Sequence, residues 1–113
     1  MAGDFERRVQ AAHALEQAPE EGAYQARIRA AANTGVREAM KTCRAAHPDP
    51  APPPPFGLAG DITRNGSLEN VETNPDHDFA RCVGGEMARI AFPSPPDSYS
   101  GDKYPFAMEV HFH

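Results

Sequence analysis

Alternation of apolar and polar residues is clearest at the C-terminal end of the chain, over residues 104–113. A period of two is typical of a β-strand that buries one face. The apolar members are Phe106, Met108, Val110 and Phe112, and Ala107, Glu109, His111 and His113 lie between them. We therefore predict a final strand that closes a sheet and forms one of its edges.

A β-hairpin is predicted upstream, with strands over residues 56–63 and 67–73. The Asn65-Gly66 dipeptide between them favours a two-residue type I′ turn, because both central residues of that turn take positive φ. Leu68 and Val71 are three positions apart, so a regular strand would point them to opposite faces. A β-bulge between them would bring both to the same face.

Apolar residues at steps of three and four predict three helices, over residues 4–17, 20–46 and 76–91. The apolar stripe of the first helix is thin, which makes residues 1–19 a helical appendage. The third helix is predicted to start at Asn74-Pro75-Asp76, because Asn or Asp can cap a helix and Pro is tolerated in its first turn.

A run of prolines over residues 47–55 separates the second helix from the hairpin. Such a run favours polyproline II, so we interpret it as a stiff strap from the helix to the sheet edge; a ligand of an SH3-type domain is the alternative. Residues 20–113 then form a single α+β domain. It has a β-hairpin, a helix and a last strand in a small three-stranded antiparallel sheet, with the helices packed on one face.

Charge and length narrow the possible partners. The chain of 113 residues is long enough for one domain. Residues 1–46 carry seven Lys or Arg against six Asp or Glu, and residues 47–113 carry four against ten. The acidic second part argues against nucleic acid and an anionic membrane, and leaves a cationic protein surface as a candidate.

No apolar run approaches the ~20 residues of a membrane span, so we expect no such span in this chain. The charged first ten residues do not resemble a signal peptide. We expect either a cytosolic protein or a trimmed mature segment.

No catalytic motif is predicted. The serines lie in turns or loops without a Gly-X-Ser-X-Gly elbow, and Gly84-Gly85 has no following Lys to make a phosphate loop. Glu109, His111 and His113 share the outer face of the last strand and are a weak candidate set for zinc or copper. Because only His77 suggests itself as a fourth ligand, a solvated strand face is the simpler interpretation. We expect no enzyme and no cofactor.

Several stretches resemble the TonB C-terminal domain family. They are Gly-Ser-Leu-Glu-Asn-Val at residues 66–71, Phe-Ala-Arg-Cys-Val at 79–83, Phe-Pro-Ser-Pro at 92–95 and Tyr-Pro-Phe at 104–106. More narrowly, they resemble the Cys-bearing relatives in gliding-motility and other envelope proteins. The resemblance covers about residues 36–113 and implies the same order of elements. It also implies a periplasmic, non-enzymatic interaction module, although the membrane anchor and long Pro/Lys spacer of TonB itself are not seen here.

In the Cys-bearing relatives, one Cys ends the helix before the sheet and one lies in the helix between strands two and three. Here these would be Cys43 and Cys82. Both lie on predicted apolar stripes, so a disulfide facing the core and a pair of buried thiols are the alternatives. The disulfide would require an oxidising compartment.

Three functions remain open. A periplasmic module could grip a protein or peptide of the envelope, or a second copy of itself, through the last strand, with Tyr104, Ala107, Glu109, His111 and His113 as contact residues. A small acidic inhibitor or immunity-type protein could occlude an enzyme with the polar loop over residues 97–103. A metal-binding envelope protein could use the C-terminal histidines.

Overall fold

The computed structural model describes residues 3–48 and 54–111. The elements are α1 (Gly3–Glu16), a short 3-10 helix (Pro19–Glu21), α2 (Gly22–Ala46), β1 (Phe56–Thr63), β2 (Leu68–Asn74), α3 (Asp78–Met87) and β3 (Lys103–Val110). The strands form an antiparallel sheet in the order β2-β1-β3. The predicted α+β class and three-stranded sheet are confirmed.

The pairing of β1 with β2 confirms the predicted bulge. The register shifts between Ala59 and Asp61 of β1, where β2 has one extra residue and Asn70 has a φ of 53°. With the bulge in place, Leu68 is buried in the core and Val71 packs against α3. The irregular spacing of these two apolar residues is therefore accommodated by backbone geometry.

The hairpin loop differs from the predicted type I′ turn. Gly66 has a φ of 86°, whereas Asn65 does not have a positive φ. The Gly66 N–H donates to the Thr63 carbonyl over 3.0 Å, and the Thr63 N–H donates to the Ser67 carbonyl over 2.8 Å. This is the pattern of a three-residue loop closed by a left-handed glycine. The type I′ prediction is wrong because this loop needs positive φ only at Gly66.

Helix α3 starts at Asp78, two residues later than predicted, because Asn74 still belongs to β2. The residue before the helix is His77, and its Nδ1 accepts a hydrogen bond from the Ala80 N–H over 3.2 Å. An imidazole nitrogen thus caps the helix where an Asn or Asp oxygen was expected. The helix ends at Met87, four residues earlier than predicted.

Helices α2 and α3 pack on one face of the sheet and enclose the core with it, as predicted. The fully buried side chains include Cys43, Leu58, Ile62, Val83, Met87 and Tyr104. A disulfide between Cys43 and Cys82 joins the two helices, with their Cα atoms 5.8 Å apart. The predicted disulfide is confirmed, and the alternative of two buried thiols is wrong.

Helix α1 lies on the opposite face of the sheet, which differs from the predicted arrangement with all helices on one face. A Cβ added to Gly57 would lie 3.1 Å from Cζ of Phe5. Arg8 of α1 lies 3.7 Å from an Asp61 oxygen and 2.9 Å from a Glu72 oxygen. Odd-numbered β1 residues face α1, because side chains alternate between the two faces of a strand. Several of these residues are small, so even a thinly apolar helix can approach closely.

The chain between α1 and α2 passes around the outer edge of β3, because the two helices lie on opposite faces. The Tyr104 hydroxyl donates to Oε1 of Glu21 over 2.7 Å, which places the connection beside the start of β3. Ala12 of α1 and Ile28 of α2 are buried, and a pocket of about 40 Å³ lies between the helices and residues 105–107. The first half of the β3 edge is therefore covered by the chain itself.

Residues 49–53 lie outside the described residues. The stiff strap over residues 47–55 therefore stays a prediction. Pro54 and Pro55, at its end, are exposed.

Candidate functional site

Either edge of the sheet could accept another strand, but β2 is poorly suited to it. A groove of about 910 Å³ runs between β2 and α3. However, the bulge at Asn70 interrupts the strand, and Glu69 and Glu72 carry charges along it. Bulges and charged side chains are features that protect natural edge strands from pairing. The β2 edge is thus closed to regular strand addition.

Strand β3 pairs with β1 without interruption along its whole length. The Thr63 N–H bonds to β2. Because the backbone N–H and C=O groups of successive residues in a strand point to opposite sides, those of even-numbered β1 residues point to β3. Even-numbered β3 residues pair with them, so the backbone groups of Pro105, Ala107 and Glu109 point outward. Pro105 fits this assignment, since proline is tolerated where no ladder bond is donated.

Only part of this outward edge is accessible. The Lys103 carbonyl accepts a hydrogen bond from the Tyr99 hydroxyl over 2.9 Å, and Pro105 has no N–H to offer. The end of α1 and the start of α2 border residues 105–107. Residues 107–111 extend from the margin of this cover, and we call them the open edge.

A groove with both apolar and polar walls borders the open edge, and we call it the edge groove. Its volume is about 520 Å³, and its walls include Phe5 and Val9 of α1, Gly57 of β1, and Met108 and Glu109 of β3. Phe5 and Val9 are half-buried, so their apolar surface is partly accessible, whereas the Met108 side chain packs against the core. The groove and the open edge together form the candidate site.

The residues that were predicted to contact a partner differ in how accessible they are. Tyr104 is a correction: its side chain is completely buried, so it belongs to the core. Ala107 is half-buried, and Glu109 and His111 are exposed on the open edge. His113 lies outside the described residues.

Tyr104 lies on the core face of β3, opposite the buried Ile62, and a hydrogen-bonded network satisfies its hydroxyl there. Its hydroxyl donates to Glu21 and accepts a bond of 2.9 Å from Nε2 of Gln25, and both partners are buried. Burial raises the pKa of Tyr104, and the hydrogen bond to the Glu21 carboxylate raises it further. The ring remains a neutral donor that ties β3 to the start of α2.

The Glu109 and His111 side chains contact each other, with Oε2 and Nε2 3.0 Å apart. Their proposed third companion as a metal ligand, His113, is outside the described residues. His77 already uses Nδ1 to cap α3. Across residues 3–48 and 54–111 there is no group of three or more His, Cys, Asp or Glu that could hold a metal ion.

A second structured surface is the loop over residues 97–103, which the sequence suggested as an occluding loop, although its anchoring by Arg64 was not predicted. Arg64, in the hairpin loop, donates to the carbonyls of Pro96 over 3.1 Å and Gly101 over 2.6 Å, and also to that of Tyr99. Its guanidinium carbon lies 5.7 Å from the centre of the Tyr99 ring. A residue expected only to form a turn therefore holds the loop in place from a distance of more than thirty positions.

No family model, curated protein or solved structure matches this chain. The resemblance to the TonB C-terminal domain family therefore rests on the quoted residues alone. Within the described ranges, no helix combines the length and the apolar character needed to cross a bilayer.

Proposed function

We propose that the chain is a non-enzymatic protein-interaction module of the cell envelope, located in the periplasm. It binds an extended peptide of a partner as a fourth strand on the open edge. The observation that carries this proposal is the coincidence of a regular, uncovered strand segment with the edge groove. In strand addition, backbone hydrogen bonds provide affinity and side-chain pockets provide specificity.

The edge groove suggests what kind of peptide fits. Side chains of the added strand that point towards α1 would contact Phe5 and Val9, which favours apolar residues at alternate positions. Glu109 lies exposed at the rim, so a Lys or Arg opposite it would form a favourable cross-strand pair. A peptide with alternating apolar residues and one cation is the expected ligand.

The disulfide supports the proposed compartment. Disulfides persist in oxidising environments such as the periplasm and are rare in the cytosol. The bond between Cys43 and Cys82 joins the two core helices and so contributes to the fold itself. The family resemblance points to the same compartment.

Peptides selected from a random library on the oxidised protein would provide ligands for a direct test. Glu109→Pro removes the outward N–H, so it should weaken binding about tenfold or more, as expected for one lost hydrogen bond. Glu109→Ala keeps the N–H and is the matched control. Equal affinities for the two folded variants would exclude the open edge.

Photo-crosslinking gives an independent position test. A crosslinking residue in place of Glu109 should capture the bound peptide, and the same residue in place of Glu69 on β2 should not. Light scattering of the purified protein distinguishes a second copy of the chain as the occupant. In that case the mass would be dimeric for the wild type and monomeric for Glu109→Pro.

A second candidate function is supported by the loop that Arg64 holds. Asp97 and Asp102 are exposed on this loop, and a fixed acidic loop is suited to occluding the basic site of an enzyme. The chain would then be an inhibitor or immunity-type protein. If so, replacing Asp97 and Asp102 by Asn should abolish binding, whereas Glu109→Pro should leave it intact.

A further inference from the structure

We propose that the outer face of α2 docks on a bilayer surface that contains anionic phospholipids. We call this surface the basic face, and it comprises Arg27, Arg29, Arg37, Lys41 and Arg44. All five side chains belong to exposed residues. The proposal goes beyond the peptide site and does not depend on it.

The cations of the basic face differ from the other cations of the described chain. None of the five forms an ion pair with a carboxylate of the described residues. By contrast, Arg7, Arg8, Arg81, Arg89 and Lys103 each contact a carboxylate, and Arg64 binds backbone carbonyls. The basic face is thus the part of the described surface where positive charge is not neutralised by a carboxylate of the described residues. The only acidic residue on α2 is Glu38.

Helical geometry spreads these charges over one side of the molecule. Arg37, Lys41 and Arg44 follow each other at steps of four and three, so they lie on one side of the helix. Arg27 and Arg29 are two positions apart, so they flank this side on opposite margins towards the N-terminus. At 1.5 Å per residue, the distance from Arg27 to Arg44 is about 26 Å along the axis. A long band of cations of this kind suits a flat surface.

The fold separates part of the acidic charge from the basic face. Asp4 and Glu6, at the start of α1, lie on the other face of the sheet from α2. With layers spaced by about 10 Å, these two carboxylates are on the order of 20 Å from the basic face. This distance exceeds the Debye length of about 8 Å at physiological salt, so these charges are screened from a surface in contact with α2.

The residues between the cations favour a lipid surface over a protein or a nucleic acid. The exposed positions between Arg27 and Arg44, apart from the cations, are Ala30, Asn33, Thr34, Glu38 and Thr42. They provide no aromatic or large aliphatic anchor of the kind that dominates protein interfaces. They also provide no base-stacking side chain. Anionic headgroups require only charge, and arginine suits their phosphates because it can form two parallel hydrogen bonds. The disulfide, moreover, is typical of compartments where nucleic acid is not the usual partner.

Flotation with vesicles tests the proposal on the oxidised full chain. Vesicles of phosphatidylcholine with about 30% phosphatidylglycerol should bind the protein, and vesicles of phosphatidylcholine alone should not. The triple variant Arg37→Gln, Lys41→Gln, Arg44→Gln should lower the partition coefficient about a hundredfold, at about fivefold for each cation. Raising the salt from about 50 to about 300 mM should weaken wild-type binding strongly. Circular dichroism checks that each variant is folded.

The matched control removes three paired cations elsewhere, as Arg7→Gln, Arg81→Gln, Arg89→Gln. It changes the net charge by the same amount. Because salt screens charges that lie away from the bilayer, we expect this variant to bind within about twofold of the wild type. An equal loss in both triple variants would show that overall charge decides binding, and would overturn the proposal. The proposal would also be overturned if the wild-type protein did not bind anionic vesicles, or if it bound duplex DNA but not vesicles.

Discussion

The hydroxyl of Tyr104 lies 2.7 Å from Oε1 of Glu21, and both residues are buried. Gln25 completes this arrangement by donating to the same hydroxyl. A buried carboxylate is costly unless it is hydrogen-bonded, so the contact satisfies Glu21 at the point where the chain enters α2. It also anchors the passage of the chain around β3.

Tyr104→Phe should destabilise the fold by about 1–3 kcal/mol, because the buried Glu21 carboxylate loses a donor. Urea denaturation measures the change in the free energy of unfolding. Tyr99→Phe is the control, since its hydroxyl donates to an exposed carbonyl that water can satisfy. An equal effect of the two substitutions would contradict the role assigned to Glu21.

Stability should decrease between pH 10 and about 12. Burial raises the pKa of Tyr24 from its ordinary value of 10.0 to about 12, and nearby Arg27 only partly offsets this. The unfolded chain therefore loses this proton first as the pH rises, which lowers the free energy of unfolding until the folded protein also ionises. The stability that the protonated Tyr24 side chain contributes is fully present below pH 10. Denaturation at several alkaline pH values should show a shallower decline for Tyr24→Phe than for the wild type.

Reduction of the disulfide should lower stability by about 4 kcal/mol, as expected for a loop of this length in the chain-entropy account. Cys43 and Cys82 are 39 positions apart. Denaturation with and without a reductant gives the difference, and the Cys43→Ala, Cys82→Ala protein should be insensitive to the reductant. Unchanged stability of the wild type on complete reduction would contradict this expectation.

Gly35→Ala should destabilise the fold by about 1–3 kcal/mol through overpacking, although alanine is the better helix former. A Cβ at position 35 would lie 2.0 Å from Cδ1 of Ile90. Ile90→Val removes that atom and should recover part of the loss in the double variant. Gly85→Ala is the control, because a Cβ there meets nothing within 4 Å, and it should stabilise α3 by up to about 1 kcal/mol.

Local patterns in the sequence were sufficient to predict the strands. Alternation gave β1 its observed bounds of Phe56–Thr63, and the spacing of Leu68 and Val71 indicated the bulge. Both features depend on residues a few positions apart. The mid-helix Gly35, which helix propensity disfavours, is explained by its close contact with Ile90.

Other features depend on contacts that the sequence does not encode locally. Small residues such as Gly57 do not show whether their face of the sheet is covered or exposed. The sequence therefore did not predict that α1 covers the face of the sheet opposite α2 and α3. Coverage of the β3 edge follows from the path of the chain between two helices, and Arg64 binds a loop more than thirty positions away. Tyr104 shares the face of Phe106 and Val110, so its burial follows from the alternating pattern, whereas its network with Glu21 and Gln25 does not.

The passage of the chain around β3 has a consequence for any strand that pairs there. The covered stretch at residues 105–107 acts as an end-stop, so a guest strand can align only from position 107 towards position 111. The limit of pairing is then set by the host backbone, whatever the order of residues in the guest. Guests of unrelated sequence would therefore stop pairing at the same point of the strand.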